Sequence, residues 1–459
     1  MPSLAYGKSA YRRQAGGFPE LRLINMLVEA APTSEGEIGL ISRPGLELSY
    51  QVGAAPTRAM FYGDGVLGGG VFVLSGVVLF NDKMAVGSIV GNGPAGMAAS
   101  ATELVVTGGG QLYRTDGLTL SSAGFPDSAQ VVAVAYLAGL FIGIRADTQR
   151  FYWSAVRDAS SWDGLDYASA ESSPDPLRDV VVVGDVLWLL GSESIEPWQV
   201  TGDAELPFSR VEGRDYQRGV IATGCACELD NTLFWIGDDG IVYRGAATPQ
   251  RLSDHGIEEQ IALSDYHAVF TLAFDGHKLF VVQLSNATYG YDVATGGWSQ
   301  LRSFGADTWQ VAASIERDGK TLVAGSTSSA IYRLSSDAPS DDGTRVERLF
   351  TAVAPVEDGG VTIDTLHLEA DFGSTPLLLG QGSEPQIETR SSRDGGKTWN
   401  DWRASTLGRQ GQYRARSTWR RFGTFDAPGA MFEFRTTDPV PLRISTVKVN
   451  EPQGGRSRG

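Results

Sequence analysis

Leu187-Trp188-Leu189, Leu233-Phe234-Trp235 and Leu279-Phe280-Val281 are short apolar cores whose central residues stand 46 residues apart, each with a turn on either side. Working outward, cores of the same kind occur at Val71-Phe72-Val73, Leu104-Val105-Val106, Leu140-Phe141-Ile142 and Thr321-Leu322-Val323. From Phe72 through Val105, Phe141, Trp188, Phe234 and Phe280 to Leu322 the steps are 33, 36, 47, 46, 46 and 42 residues. A period in the forties is that of one four-stranded propeller blade. Several units continue into another strand ending in an aromatic residue and Arg, as in Leu112-Tyr113-Arg114, Val242-Tyr243-Arg244 and Ile331-Tyr332-Arg333. The chain therefore reads as all-β, with a β-propeller of six or seven blades over 51–338. The two short first steps read as incomplete blades closed by N-terminal residues, and 1–50 as an N-terminal arm with the first strands.

Beyond the repeat, Ser335 to Thr344 is rich in Ser, Asp, Pro and Gly and reads as a linker. Val361 to Glu369, Met431 to Arg435 and Leu442 to Val449 then alternate apolar and polar residues, the pattern of half-buried antiparallel strands. A C-terminal β-sandwich over 339–450 follows, with 451–459 as a mobile tail. The best helical candidate, Asp254 to Leu263, spans only two to three turns at about 3.6 residues each.

Composition narrows the function. Apolar residues make up 42% of the 459, enough for a large core, and 57 glycines without a triplet period punctuate many short strands. With 38 basic against 54 acidic side chains the formal charge is −16, which repels phosphate backbones on average and argues against non-specific nucleic-acid binding. Cys225 and Cys227 lie too close along an extended segment for an easy disulfide and read as reduced. The start, Met1 to Lys8, lacks a signal-peptide core and no run of 18 apolar residues occurs, so the expectation is a protein that stays in the cytoplasm where it is made unless it leaves inside an assembly.

Two glycine patterns, Gly63 to Gly68 and Gly91 to Gly96, have dinucleotide-loop spacing but lead into strands, whereas that chemistry needs a helix N-terminus at the pyrophosphate. They read as turns. His255, His267, His277 and His367 show no metal-ligand spacing, and Asp238-Asp239 and Asp341-Asp342 sit where turns use Asp. No G-x-S-x-G elbow is present. The expectation is no catalytic, cofactor-binding or metal residue, and no enzyme. Ser392, Asp394, Gly396, Thr398 and Trp399 match the Asp-box S-x-D-x-G-x-T-W, a structural hairpin device. From Arg390 to Arg421 nine basic residues face two acidic ones, Asp394 and Asp401, against the charge of the whole chain. Arg403, Arg409, Arg414, Arg416, Arg420 and Arg421 form a possible docking patch for an acidic neighbour or DNA.

Several segments together resemble one family, the packaged DNA stabilization proteins that form the tail hub of short-tailed bacteriophages, the podoviruses. They are Leu23 to Glu29 with Arg43-Pro44-Gly45-Leu46; Tyr152-Trp153-Ser154 with Trp162-Asp163; Ala170 to Asp175; Gly191 to Trp198; Pro207 to Arg210; Gly224-Cys225-Ala226; Phe234 to Gly237 with Val242 to Arg244; and Gln250 to Glu258. The similarity is clearest from Phe151 to Glu258. It departs between Ala226 and Leu229, where the family has more residues, and the C-terminal third matches loosely.

The resemblance implies a structural virion protein of the head-to-tail connector, a head-completion factor located in the virion tail. It would stack below the portal and adaptor as a homo-oligomeric ring of six, with packaged DNA passing through or held by its channel without sequence-specific binding. It would also carry distal tail proteins such as a spike, fibre or needle, and touch no membrane. The alternative from another class is a glycan-binding or glycan-cleaving, sialidase-like propeller, on the strength of the Asp-box and ten Trp and fifteen Tyr residues. A kelch-like adaptor is a third reading, resting on the spacing of Tyr291 and Trp298.

Overall fold

The computed structural model describes residues 4–12, 20–33, 36–126, 130–354, 360–371, 383–409, 415–426 and 429–450. The chain divides into two compact units, Leu48–Asn286 with Gln310–Arg333, and Met1–Glu47 with Ala287–Trp309 and Leu334–Gly459.

The first unit is a ring of seven blades. Its innermost strands, Thr57–Phe61, Met97–Ala99, Val131–Leu137, Leu177–Val183, Ala226–Leu229, His267–Phe274 and Val311–Arg317, each lie against the next, and the last returns to the first. Radial repetition of this kind covers the inner end of every sheet and leaves an edge at the outer strand of each blade. Each of the seven apolar cores found in the sequence is the second strand of a blade, paired antiparallel to the innermost one. Tyr113-Arg114, Tyr243-Arg244 and Tyr332-Arg333 all lie on third strands.

The repeat works because alternate side chains of one strand point to opposite neighbours. Along Val131–Leu137, Ala133 and Ala135 join the core with the fourth blade while Val134 and Tyr136 join the core with the second. Phe72, Val105, Phe141, Phe234 and Phe280 are all fully buried. The expectation about the short first steps is corrected here. The first two blades are complete four-stranded sheets built from strands of three to five residues. It is the seventh sheet whose outer strand, Gly45–Gly53, comes from the N-terminal region, and its apolar residues meet those of the first blade.

In four blades the innermost strand slips register at its second residue. Two of these bulges carry Arg, which reaches toward the segment leading into the following blade, and Arg58 also binds a turn of its own blade. Arg58 donates to the carbonyls of Gly76 (3.0 Å) and Gly93 (2.7 Å), and Arg178 to those of Val220 (2.8 Å) and Ile221 (2.9 Å). A bulge re-aims a side chain that regular pairing would point into a blade interface.

The second unit is a two-sheet sandwich. One sheet runs Arg348–Ala354, Ala430–Thr436, Gln386–Ser392, Arg403–Thr406; the other runs Met26–Thr33, Gly36–Ser42, Arg443–Val449, Val361–Asp371, Ala415–Phe425. Residues expected to form an N-terminal arm thus supply two strands here. Aromatic pairs between the sheets fill the interior: Trp419 with Phe434, Phe422 with Phe432, and Phe425 with Phe432. The same unit holds the hairpin of Thr288–Asp292 and Gly297–Gln300, in which Tyr291 and Trp298 are cross-strand partners with rings 5.2 Å apart.

The segment expected to be a linker, Ser335 to Thr344, is anchored at Asp341. Arg43 grips Asp341 through two bonds, Nη1 to Oδ1 at 2.9 Å and Nη2 to Oδ2 at 2.6 Å, with both side chains at most 2% exposed. Asn25, in left-handed backbone at φ 53°, accepts from Arg43 Nε (2.8 Å) and donates to the carbonyls of Arg302 (3.0 Å) and Glu347 (2.8 Å). The Arg43 guanidinium also lies 5.0 Å from the centre of the Trp309 ring. Gly45 passes so close to the carbonyls of Ala338 and Ser340 that a Cβ would sit 2.4 Å from each. The asparagine segment and the Pro-Gly-Leu turn are therefore two halves of one buried knot.

Candidate functional site

The Asp-box residues lie on the hairpin between Gln386–Ser392 and Arg403–Thr406. Asp394 Oδ1 accepts from the backbone N–H groups of Lys397 (3.0 Å) and Thr398 (2.9 Å), and Oδ2 from the Thr398 hydroxyl (2.6 Å). Ser392 Oγ donates to Asp394 Oδ1 (2.8 Å) and accepts from Gly396 N–H (2.8 Å). The Thr398 hydroxyl and amide and the Ser392 hydroxyl together hold the Asp394 carboxyl well below the usual carboxylate range. Trp399 closes the turn by donating from Nε1 to the Gly396 carbonyl (3.0 Å). Every one of these bonds is local, as expected of a turn brace.

The nine basic residues beside it have unequal fates. Arg390 pairs with Glu433, which is 1% exposed, and its guanidinium lies between the rings of Trp399 (4.7 Å) and Trp402 (4.6 Å). Arg393 donates to the Phe422 carbonyl (2.8 Å). Arg403 donates to the Arg420 carbonyl (2.6 Å) and covers the Phe422 ring at 4.8 Å. Arg409 and Arg416 pair with Glu384 (3.0 Å) and Glu369 (2.5 Å). Arg414 lies outside the described residues. Arg420 and Arg421 are exposed on the edge strand Ala415–Phe425, where Arg420 pairs with Thr365 and Arg421, at φ 65°, begins a bulge in which it and Phe422 oppose Asp364. Of the expected patch from Arg403 to Arg421, Arg420 and Arg421 are thus two adjacent exposed side chains, and Lys397 is exposed on the Asp-box turn.

The segments that carry the central resemblance run from the third blade to the fifth, and Ala170 to Asp175, Gly191 to Trp198 and Pro207 to Arg210 meet at the fourth. Asp175 accepts from the backbone N–H groups of Glu193 (2.7 Å) and Ser194 (3.1 Å) and from the Ser194 hydroxyl (2.8 Å). Glu196 accepts from Ser172 N–H (2.5 Å) and Trp198 Nε1 (3.2 Å), and Arg210 lies 3.7 Å away. A Cβ on Gly191 would stand 2.2 Å from the Asp175 carboxylate. In the neighbouring inner strand Asp179 is 7% exposed and accepts from Val180 N–H (2.9 Å) and from Gly224 N–H of the next blade (2.8 Å). Burial pushes its carboxyl up to about 7.

The run Gln250 to Glu258 comprises the strand Gln250–Arg251 and the start of the helix His255–Ala262, capped by Asp254, whose Oδ1 accepts from Gly256 (2.8 Å) and Ile257 (3.0 Å). Glu258 reaches back to Arg251 (2.6 Å) and Ser253 (2.9 Å), a capping arrangement that explains the motif without chemistry. His255 pairs with Glu258, His267 contacts the Ile261 carbonyl, His277 is buried beside Phe274, and His367 bonds Thr418. Asp238 and Asp239 brace turns through Gly219 and Ile241. Gly63 to Gly68 and Gly91 to Gly96 both lie between strands, and neither opens an α-helix. Burial raises both the Cys225 and the Cys227 thiol, and both are free. Among the described residues no cluster of His, Cys, Asp and Glu is arranged to hold a metal ion.

A closed ring of blades and a β-sandwich, whose described polar clusters brace loops and join strands, define an all-β protein of propeller and sandwich units. Residues 3–339 match the family model described as Bacteriophage P22 Gp10, beta-propeller, and residues 347–451 match Bacteriophage P22 Gp10, beta-sandwich. The chain belongs to the bacteriophage P22 Gp10 family and is a phage structural protein with a β-propeller fold. No curated protein sequence matches the chain. Among solved structures it is similar to the β-propeller domain of Myceliophteria thermophila Cps50 (Swd1), at 10% identity over 63% of this chain and 99% of that one, TM-score 0.41. It is also similar to the extracellular domain of a putative one component system, BT4673, from B. thetaiotaomicron, at 10% identity over 86% and 62%, TM-score 0.43. The computationally designed Ika8 protein aligns at 16% identity over 72% and 98%, TM-score 0.38.

Proposed function

We propose that this chain is the tail hub and head-completion factor of a short-tailed bacteriophage. It stacks below the portal and adaptor as a ring of copies, keeps packaged DNA in the head and carries the distal tail proteins. The observation that supports this best is the order of two family matches, propeller then sandwich, over nearly the whole chain. In this reading the propeller is the stiff body, the sandwich with its basic edge is the docking domain, and the work is mechanical instead of catalytic. A formal charge of −16 suits a surface past which DNA must slide without sticking.

Particles assembled from a phage lacking only this gene product should package DNA and then lose it, and should lack distal tail proteins. Complementation with the full chain should restore both. Particles that keep a full genome and a complete tail without it would sink the proposal.

A further inference from the structure

The outer strand of the third blade, Asp158–Ser169, is twelve residues long and pairs regularly only at its ends. Tyr152 faces Tyr167 and Ser154 faces Trp162, so one residue of the inner partner is opposed by four, Asp163 to Asp166, that bulge outward. At the apex is Leu165, 83% exposed, the most exposed of the large apolar side chains described. The bulge is preformed. Asp163 Oδ1 accepts from Leu165 N–H (2.9 Å), and at the base Trp162 donates to the Ala159 carbonyl (2.9 Å) and packs 5.2 Å from Phe125. Asp163 and Asp166 flank the apex. Partial burial, and then the charge of Asp163, raise the Asp166 carboxyl, so a nearby cation would relieve an existing repulsion.

The Arg420–Arg421 pair, at the start of a smaller bulge, is its counterpart in charge. It too lies on an edge strand, fixed from beneath by Trp419, which donates to the Arg403 carbonyl (2.8 Å), and by Arg403 over Phe422. Bulges and charges also protect a sheet edge from unwanted pairing. That role does not call for an exposed leucine at an apex, nor for two arginines side by side.

We propose that the Asp163–Asp166 bulge of one copy docks on the Arg420–Arg421 bulge of a second copy of this chain. The inference rests on the ring reading above and gives its lateral contact a chemistry. Two different patches joined in this way make a heterologous contact, the kind that propagates into a closed ring or a filament. Opposite charges set the register, and Leu165 supplies the apolar centre that exposed ion pairs lack.

The test uses the full-length chain and two variants, Arg420→Glu/Arg421→Glu and Asp163→Lys/Asp166→Lys, compared by sedimentation velocity over a range of concentration and salt. All four positions are at the surface, so circular dichroism should match the wild type. The wild type should self-associate and each variant should do so at least about tenfold more weakly, while a one-to-one mixture, in which every knob meets an oppositely charged bulge, should associate again. Leu165→Ser should weaken the wild-type contact without changing its salt dependence. A wild type that stays monomeric at its highest soluble concentration, or variants that associate as well as it does, would overturn the proposal. So would loss of duplex DNA binding, with self-association intact, as the sole effect of the arginine substitutions. A chain that associates in this way but is absent from virions would instead refute the hub reading.

Discussion

Two pairs of buried carboxylates, Asp175 and Asp179 in the ring and Asp341 and Glu433 in the sandwich unit, are held in different ways. In the ring, Asp175 and Asp179 are held by backbone N–H groups of loops and neighbouring blades, within a core that repeats Leu, Phe, Val and Trp. In the sandwich unit, buried carboxylates meet guanidinium groups: Asp341 with Arg43, Glu433 with Arg390. A repeat supplies each blade with an apolar neighbour of known shape, so polar groups are needed only to fix loops. A join made once, between Arg43 and a residue 298 positions away, has no repeat to align it. A bidentate ion pair specifies that join because few other geometries satisfy it.

Breaking the ion pair should have the largest effect. Asp341→Ala leaves Arg43 buried without its partner, and such losses cost about 3–5 kcal/mol. Replacing both partners by apolar residues, Arg43→Met with Asp341→Leu, should cost clearly less than the single change, as urea unfolding would show. Equal losses in the single and double variants would mean that the pair acts only through packing.

Asp179 sharpens the ring's side of the comparison, since a carboxylate held by amides alone keeps a desolvation cost. Its folded-state value of about 7 lies above that of an unfolded Asp, near 4, so between these values the native protein holds a proton that the unfolded chain has released. Its contribution is therefore fully present below about pH 4 and is lost as pH rises toward 7, by at most roughly 1.4 kcal/mol per pH unit. Asp179→Asn should flatten that slope in denaturant titrations between pH 4 and 7. An unchanged slope would assign the pH dependence to other groups.

The sequence showed what is local and what repeats. All seven apolar cores proved to be second strands, the helix starts beside the expected Asp254, and the Asp-box is legible because its bonds join residues at most four apart. Asn25, Arg43 and Asp341 appeared only as pieces of motifs or as a turn carboxylate, since their bonds cross hundreds of residues and leave no spacing to read. The bulged arginines 58 and 178 were missed for a related reason: a register slip depends on the neighbouring strand. Nine basic residues likewise read as one patch, although Glu369, Glu384 and Glu433, which neutralise three of them, lie outside the segment.

The smallest expected effect separates a brace from a keystone. Asp394 is half-buried and its bonds all fall within its own hairpin, so Asp394→Ala should leave the unfolding midpoint of the sandwich nearly unchanged. It should instead release the Lys397 and Thr398 amides, which Asp394 holds, and hydrogen exchange at these two positions should quicken severalfold. The Gly396 amide, bonded to Ser392, should respond less. Because hydrogen bonds hold the Asp394 carboxyl below the usual carboxylate range, the wild-type protection should persist below the pH at which an ordinary aspartate takes up its proton. If instead the substitution unfolds the whole unit, the turn carries long-range stability as Asp341 does, and the contrast between local braces and single long-range joins fails within the sandwich itself.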